Sequence, residues 1–287
     1  MARMETFSLL ATLISLALSA AMHLWGLIPV IGARSEGKRQ PSGNSDAPRR
    51  PESRTSLPAT LMLAIALLFL TLSIVARATV SRHGPFSNMY EFSVAFCWGI
   101  MAASLYFQWR YKIRVVAASG VVIALALLAY TYTLPSRHVP LAPALQQSLL
   151  LSFHVAAAML AYGMFTIGFG AAAIYLVRRH YMGTDASRLE TLENTAHHAI
   201  LIGFPFMTLT IVLGALWADI AWGRYWGWDP KETSSLVTWL VYAAYLHARV
   251  LRGWQGSKSV FLIVVGFLAV LFTYFGNYFF GGLHAYK

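Results

Sequence analysis

Eight long apolar runs constrain the fold of this chain more than any other feature. Each run is long enough to cross a bilayer whose hydrocarbon core is about 30 Å thick. Hydrophobic residues make up 57% of the chain and charged residues 11%, which leaves too little polar surface for a water-soluble globule. The sequence therefore predicts an all-α integral membrane protein, a bundle of about eight transmembrane helices. The runs lie near residues 7–31, 58–76, 89–109, 115–134, 148–177, 199–221, 230–250 and 259–281.

The basic residues fall in alternate connections between these runs, after the first, third, fifth and seventh. Cytoplasmic loops of membrane proteins carry such an excess of Lys and Arg. The net charge of +11 is therefore not a sign of nucleic-acid binding. The distribution of its basic residues indicates how the chain is oriented in the membrane. We expect both termini and the segment after the sixth run to be extracytoplasmic, in a bacterial cytoplasmic membrane or its thylakoid equivalent. The residues are Arg34, Lys38, Arg39, Arg49, Arg50, Arg54; Arg110, Lys112, Arg114; Arg178, Arg179, Arg188; and Arg249, Arg252, Lys258.

The chain divides into three parts. Residues 1–31 are predicted to form a first transmembrane helix and not a cleaved signal peptide, because the apolar run is long and Arg3 is balanced by Glu5. Residues 32–57, rich in Pro, Ser, Arg and Gly, are predicted to be a basic, disordered cytoplasmic linker. Residues 58–287 then form a domain of seven helices. Since Cys97 is the single cysteine, the chain is neither a dithiol reductant nor a carrier of covalently attached haem.

A dense aromatic segment separates the sixth and seventh runs. It reads Trp-Gly-Arg-Tyr-Trp-Gly-Trp-Asp-Pro-Lys-Glu over residues 222–232, and we call it the aromatic block. Gly223 and Gly227 argue against a continuous helix through it. Asp229 and Glu232 stand where the N-cap and N3 residues of a capping box stand. Asp229 is either a helix cap or a ligand contact, and the two roles are compatible.

The tryptophans of the block allow two interpretations. Trp222, Trp226 and Trp228 could belong to an interfacial aromatic belt, or they could form a platform for a flat ligand. The density of rings favours the platform, and Arg224 and Lys231 are cations suited to carboxylates such as haem propionates. The block therefore predicts a site for haem.

Four histidines are candidate ligands for haem iron. His154, early in the fifth helix, and His284, after the eighth, are expected on the same side as the block. His247 lies in the seventh helix, about 25 Å from its start, and His23 falls at a similar depth in the first. An ionisable residue at such depth is a functional candidate; His23 could equally hydrogen-bond a neighbouring helix. His83 is expected to be structural or a gate.

Residues 222–249, WGRYWGWDPKETSSLVTWLVYAAYLHAR, resemble the WWD signature of the cytochrome c biogenesis proteins CcsA (ResC) in the haem-handling superfamily; the WWD segment spans about 217–233. Two departures are visible, at Ser234 and at 148–151, where aromatic residues are expected. Further similarity lies in HGPFSNMYE (83–91), PLAPALQ (140–146), FHVAAAMLAY (153–162), GFPFMTLTIVLGALWA (203–218) and FGNYFFGGLHAY (275–286).

The resemblance implies a function in system II cytochrome c maturation. His154 and His284 would be external ligands of haem b, and His247 a transmembrane ligand on the export route. The second transmembrane ligand would come from the partner CcsB (ResB), which competes with His23 for that role. The substrates would be haem and an apocytochrome c with a Cys-x-x-Cys-His segment, thiol-reducing proteins would act indirectly, and the chain would be the haem-attaching subunit of a cytochrome c synthase.

Three other functions are compatible with parts of the sequence. A CcmC-like carrier that loads haem onto a chaperone is the nearest, although fewer spans are expected there. A b-type cytochrome subunit would also use membrane histidines, but it would bury its haem between helices. A solute transporter with an aromatic site would leave the histidines at the outer surface unexplained.

Overall fold

The computed structural model describes residues 2–25, 57–81, 83–84, 87–137, 149–181 and 186–279. These residues form eight α-helices and no strand, which confirms the predicted all-α membrane fold. The predicted linker lies almost entirely outside the described residues and stays a prediction. The helices are α1 (Ala2–Trp25), α2 (Leu57–Ser81), α3 (Met89–Tyr111), α4 (Arg114–Thr131), α5 (Leu149–Tyr181), α6 (Ala186–Trp222), α7 (Pro230–Val250) and α8 (Ser257–Phe279).

Helices α5 and α6 extend well beyond the apolar runs that predict them. They contain 33 and 37 residues, or about 50 and 55 Å at 1.5 Å per residue, against a hydrocarbon core of about 30 Å. Both continue through polar sequence, at 178–181 and 186–198. An apolar run marks where a helix meets lipid, and polar residues beyond it can prolong the same helix.

Helix α7 differs from the other seven helices. Within the described residues, those seven are long and apolar enough to span a membrane, and α7 is not among them. Its polar residues face inward, since Ser234 and Thr238 are buried while Val237 and Leu240 are exposed. Thr238 Oγ1 lies 3.1 Å from Thr273 Oγ1 of α8. The low apolarity of α7 therefore reflects partners inside the bundle.

The helices run alternately up and down, which gives the bundle two ends. The end that carries the aromatic block is the block end, and the opposite one is the far end. Helices α3 and α5 cross in backbone contact, because a Cβ at Gly99 would lie 2.2 Å from the Met159 carbonyl oxygen, and one at Gly163 would lie 2.2 Å from the Gly99 oxygen. Small residues permit this approach between membrane helices, and the crossing fixes α5 against the centre of the bundle.

A buried ion triad joins α1, α2 and α3 at the block end. Arg77 Nη1 donates to Glu5 Oε1 at 2.7 Å, and Arg77 Nε donates to Glu91 Oε1 at 2.7 Å. The guanidinium also donates to the backbone oxygens of Ser136 and Arg137, both at 3.2 Å. The triad was not predicted from the sequence, although a charge inside an apolar run, such as Glu91, is itself a signal.

Removing the cation of the triad should destabilise the bundle strongly. We expect Arg77→Met to lower the free energy of unfolding by about 3–5 kcal/mol, because two buried carboxylates lose their counter-charge. Reversible unfolding in mixed micelles measures the change. The exposed Arg252→Met is the control and should change stability by less than about 0.5 kcal/mol. Adding Glu5→Gln to Arg77→Met should recover part of the lost stability, because it removes one of the two unpaired carboxylates. An Arg77→Met protein of unchanged stability would show that Arg77 is not the counter-charge that holds the triad.

Candidate functional site at the aromatic block

His154 occupies the second turn of α5 and faces α6. Its ring is half-buried, and its Nδ1 lies 2.8 Å from the Thr210 carbonyl oxygen. A carbonyl oxygen can only accept, so Nδ1 carries the proton, and in the neutral ring Nε2 keeps the lone pair. Metal-ligating histidines are oriented by the same kind of second hydrogen bond. The Thr210 contact therefore fixes the tautomer whose Nε2 has the lone pair that a metal ligand needs.

Gly214 makes room for this ring. A Cβ at Gly214 would lie 2.7 Å from Cε1 and 2.9 Å from Nδ1 of His154, distances that real side chains do not tolerate. Thr210 and Gly214 are one helical turn apart on the same face of α6. Eight further residues of α6, about 12 Å of rise, lead from Gly214 to Trp222 at the block.

The block is a tight connection held by two carboxylates. Helix α6 ends at Trp222, after which Gly223 adopts a φ of +70°. Asp229 caps α7 by accepting from Lys231 N at 2.8 Å, in the predicted capping box. Glu232 Oε2 accepts from Asp229 N at 3.2 Å and from Gly227 N at 2.7 Å. The second of these bonds lies outside the capping box and fixes the turn that carries the tryptophans.

The tryptophans of the block differ in their exposure. Trp222 packs edge to face on Trp217 of the same helix, with ring centroids 4.8 Å apart, and Trp226 meets Trp228 in the same way at 5.9 Å. Trp228 is 70% exposed and has a φ of +54°. A bulky residue in the left-handed region is strained, and such strain is concentrated at functional sites. An interfacial anchor needs no such backbone, which favours the platform over the belt.

The two cations of the block point in different directions. Arg224 is exposed and folds back over the turn, since a Cβ at Gly227 would lie 3.1 Å from its Nε. Lys231 Nζ lies over the Phe92 ring, 4.5 Å from the centroid. Phe92 in turn stacks on Tyr274 of α8, with centroids 5.7 Å apart. Lys231 therefore joins the start of α7 to α3 and α8.

His284, the second predicted external ligand, falls outside the described residues, and its role stays a prediction. His83 lies in the connection between α2 and α3. His83 Nδ1 lies 2.7 Å from the Gly84 carbonyl oxygen, a local contact that suits the predicted structural role.

The remaining two histidines belong to different parts of the far end. His247 is exposed on α7, which packs on α6 and α8. His23 is fully buried in α1, which packs on α2 and α4. The structure thus does not present them as a facing pair. The role of each histidine as a transmembrane haem ligand stays a prediction.

Three of the residues that support the site were not predicted from the sequence. Thr210 and Gly214 position His154, and Phe92 contacts Lys231. Gly214 had a detectable signal, since a glycine inside an apolar helix indicates a close approach of a neighbouring group. A carbonyl acceptor such as that of Thr210 has none, because every residue carries one.

Comparison with known proteins assigns the chain to a family. Residues 86–284 match the profile of the family described as Cytochrome C assembly protein. The chain belongs to the CcsA family of cytochrome c assembly proteins. It is 36% identical over 250 residues to the cytochrome c biogenesis protein CcsA of Guillardia theta, covering 77% of this chain and 83% of that protein. It is 37% identical over 238 residues to CcsA of Chlamydomonas reinhardtii, covering 79% and 67%.

A solved structure shares the fold of this CcsA-family chain. The cytochrome c haem lyase CcmF superposes with a TM-score of 0.65 at 18% identity, over 96% of this chain and 46% of that one. The chain thus corresponds to somewhat less than half of CcmF. The family match begins at residue 86, so α1 and α2 precede the matched region.

Replacing Glu232 should loosen the block more than removing an ordinary helix cap. We expect Glu232→Ala to release both Gly227 N and Asp229 N and to lower stability by about 1–2 kcal/mol. Tryptophan fluorescence should also shift, because the Gly227 turn carries Trp226 and Trp228. Glu190→Ala, an exposed carboxylate near the start of α6, is the control. The assignment fails if Glu232→Ala leaves both the emission spectrum and the unfolding midpoint unchanged.

Proposed function

We propose that this chain receives haem b and presents it at the block end for covalent attachment to apocytochrome c, as the haem-attaching subunit of a cytochrome c synthase. The observation that carries the proposal is the His154 imidazole, which Thr210 orients so that Nε2 is the ligand atom; it lies about two turns of α6 from the exposed and strained tryptophan platform. Membership in a cytochrome c assembly family supports the same conclusion.

The residues of the block have separate roles in this proposal. His154 and His284 ligate the haem iron, Trp222, Trp226 and Trp228 contact the macrocycle, and Asp229 holds the turn through the cap of α7. Arg224, exposed at the turn, contacts a propionate. Lys231 reaches the second propionate from its position over Phe92. The protein acts mainly by positioning the substrate.

The attachment reaction needs no oxidant. Each thiol of a Cys-x-x-Cys-His segment adds across one haem vinyl group, so that sulfur bonds to one vinyl carbon and the thiol proton goes to the other. The histidine of the segment then replaces one of the two protein ligands of the iron, and the finished cytochrome leaves. Thiol-reducing proteins contribute indirectly, by keeping the two cysteines reduced.

The distribution of charge supports an orientation in the membrane. Three basic clusters lie at the far end, at 110–114, 178–188 and 249–258. By the positive-inside rule the far end is cytoplasmic, and the block with both termini is extracytoplasmic. A bacterial cytoplasmic membrane, or the thylakoid equivalent, fits this arrangement.

His247 is a ligand of haem iron on the route from the far end. The second ligand of that iron comes from the partner CcsB. His247 lies on an exposed stripe of α7 with Val237, Leu240 and Ala244, at spacings of three and four residues. Spacings of three and four residues are those at which one helix packs against another. An imidazole on an otherwise apolar surface at this depth is costly unless a partner binds it. A helix of CcsB on this stripe would bring a ligand to His247.

An electron-carrying b-type cytochrome is the main alternative. Such a subunit holds its haem between helices, away from a macromolecular substrate. The exposed Trp228 and the exposed Arg224 instead favour a haem that a second protein can reach. The CcmC-like alternative would keep the same block and differ in the acceptor protein.

Crowding the His154 ring should impair attachment without removing the ligand. We expect Gly214→Ala to reduce cytochrome c maturation at least tenfold, because the new methyl group displaces the imidazole from Thr210. Leu216→Ala, on the exposed face of the same helix, should have no effect. His154→Gly should abolish maturation, and added imidazole should partly restore it in that variant. Full maturation by His154→Gly without imidazole would refute the ligand role.

Substitutions on the α7 stripe should separate haem loading from partner binding. We expect His247→Ala to lower the haem content of the purified complex while CcsB still co-purifies. Leu240→Trp should instead reduce the recovery of CcsB, because the larger ring blocks helix packing. Leu268→Trp, exposed on α8, is the matched control. Normal haem content in His247→Ala would exclude His247 from the route, and unchanged CcsB recovery with Leu240→Trp would place the interface elsewhere.

A further inference from the structure

Two polar contacts join α6 and α7 at the far end. In the first, Arg249 Nη1 of α7 donates to Glu193 Oε1 of α6 in an ion pair. In the second, His197 Nδ1 of α6 lies 3.0 Å from the hydroxyl oxygen of Tyr245 of α7. The two members on each helix are four residues apart, and side chains at that spacing share one face of a helix. The contacts therefore form two successive rungs between the facing sides of antiparallel helices.

Glu193 also holds the connection between α7 and α8. Its Oε1 accepts from Gly256 N at 2.8 Å, directly before the first residue of α8. Arg249 Nη2 donates to Asn194 Oδ1 at 3.1 Å. The side chains of Arg249 and Glu193 are only 12% and 10% exposed, so solvent competes little for these bonds. One carboxylate thus binds both the last turn of α7 and the start of α8.

His247 lies between the two α7 members of the rungs. It is two residues from Tyr245 and two from Arg249, so at about 100° per residue its side chain leaves the helix about 200° from theirs. Accordingly, Tyr245 is fully buried whereas His247 is exposed. Because the rungs fix the rotation of α7 about its own axis, they also fix the direction in which the His247 imidazole leaves the helix.

We propose that Glu193 and Tyr245 are positioning residues for His247, which lock the last turns of α7 against α6 and direct the imidazole to the opposite side. The inference rests on the proposed role of His247 as a transmembrane haem ligand. A functional side chain must be held within about 0.5 Å of its productive position. Apolar packing alone tolerates sliding and rotation of one helix on another, whereas polar pairs inside an interface fix its register.

Haem binding in the purified complex with CcsB tests the positioning role. We expect Glu193→Ala to increase the rate of haem loss about tenfold or more, the usual effect of removing a group that orients a metal ligand. Tyr245→Phe removes only the hydroxyl and should increase that rate about threefold. In both variants part of the ferric iron should change from low to high spin in EPR spectra, because its bond to His247 is weakened.

Added imidazole separates a misplaced ligand from general damage to the fold. It should restore the low-spin signal in both variants by taking the axial position that His247 no longer fills. Glu190→Ala removes an exposed carboxylate from the same helix and should leave the rate and the spectrum unchanged. Because Tyr245→Phe removes a single oxygen atom, it tests the proposal even where Glu193→Ala does not fold.

The outcomes distinguish this inference from the proposed function. Loss of haem in His247→Ala, with unchanged rates and spectra in Tyr245→Phe and Glu193→Ala, would refute the positioning role and leave His247 a ligand. High-spin iron that imidazole does not restore would also refute it, because the defect would then lie outside the bond to His247. Normal haem content in His247→Ala would refute the ligand role on which the inference rests.

A spin label on the chain alone tests the geometry without haem. Cys97 is buried, so a thiol-reactive label on the His247→Cys protein reports on position 247. Adding Glu193→Ala should make this label more mobile, because the last turn of α7 loses its contact with α6, and adding Glu190→Ala should not. Equal mobility with and without the Glu193 carboxylate would overturn the proposal.

Discussion

The Arg77 guanidinium, bound between two buried carboxylates, illustrates the constraint on which the whole bundle depends. In an apolar environment a polar group must find its partners within the protein. The backbone meets this demand by forming helices. Side chains meet it across helices, as Thr238 does with Thr273. Helix α7 is less apolar than its neighbours. The same demand explains why it turns its polar face inward.

The functional site follows from the same constraint. The Thr210 carbonyl orients the His154 imidazole, and that contact depends on the close approach allowed by Gly214. The block is held by Glu232 and Asp229, whose carboxylates accept the backbone N–H groups of the turn and of the first turn of α7. Stable local bonding at these positions supports the strained backbone at Trp228, whose indole ring is exposed.

Much of this arrangement was predictable from sequence. The apolar runs located all eight helices, and the pattern at Asp229 and Glu232 correctly predicted the capping box, because a cap depends on residues close in the chain. Helix ends were less accurate: α5 and α6 continue through polar residues that do not differ from loop sequence. The partners of His154 and Lys231 were not predictable, since Thr210 and Phe92 lie 56 and 139 residues away in the chain.

The sequence by itself determined that this chain crosses a membrane, where its helices lie and which segment is chemically unusual, because hydropathy and capping are local properties. Tertiary structure alone decided which buried charges pair, which nitrogen of His154 keeps the lone pair, and that His23 is enclosed while His247 is exposed. Those properties depend on contacts between distant helices. Hydropathy along the chain records only whether a residue favours lipid, and in a membrane both faces of a helix can be apolar, so it does not specify which face meets which neighbour.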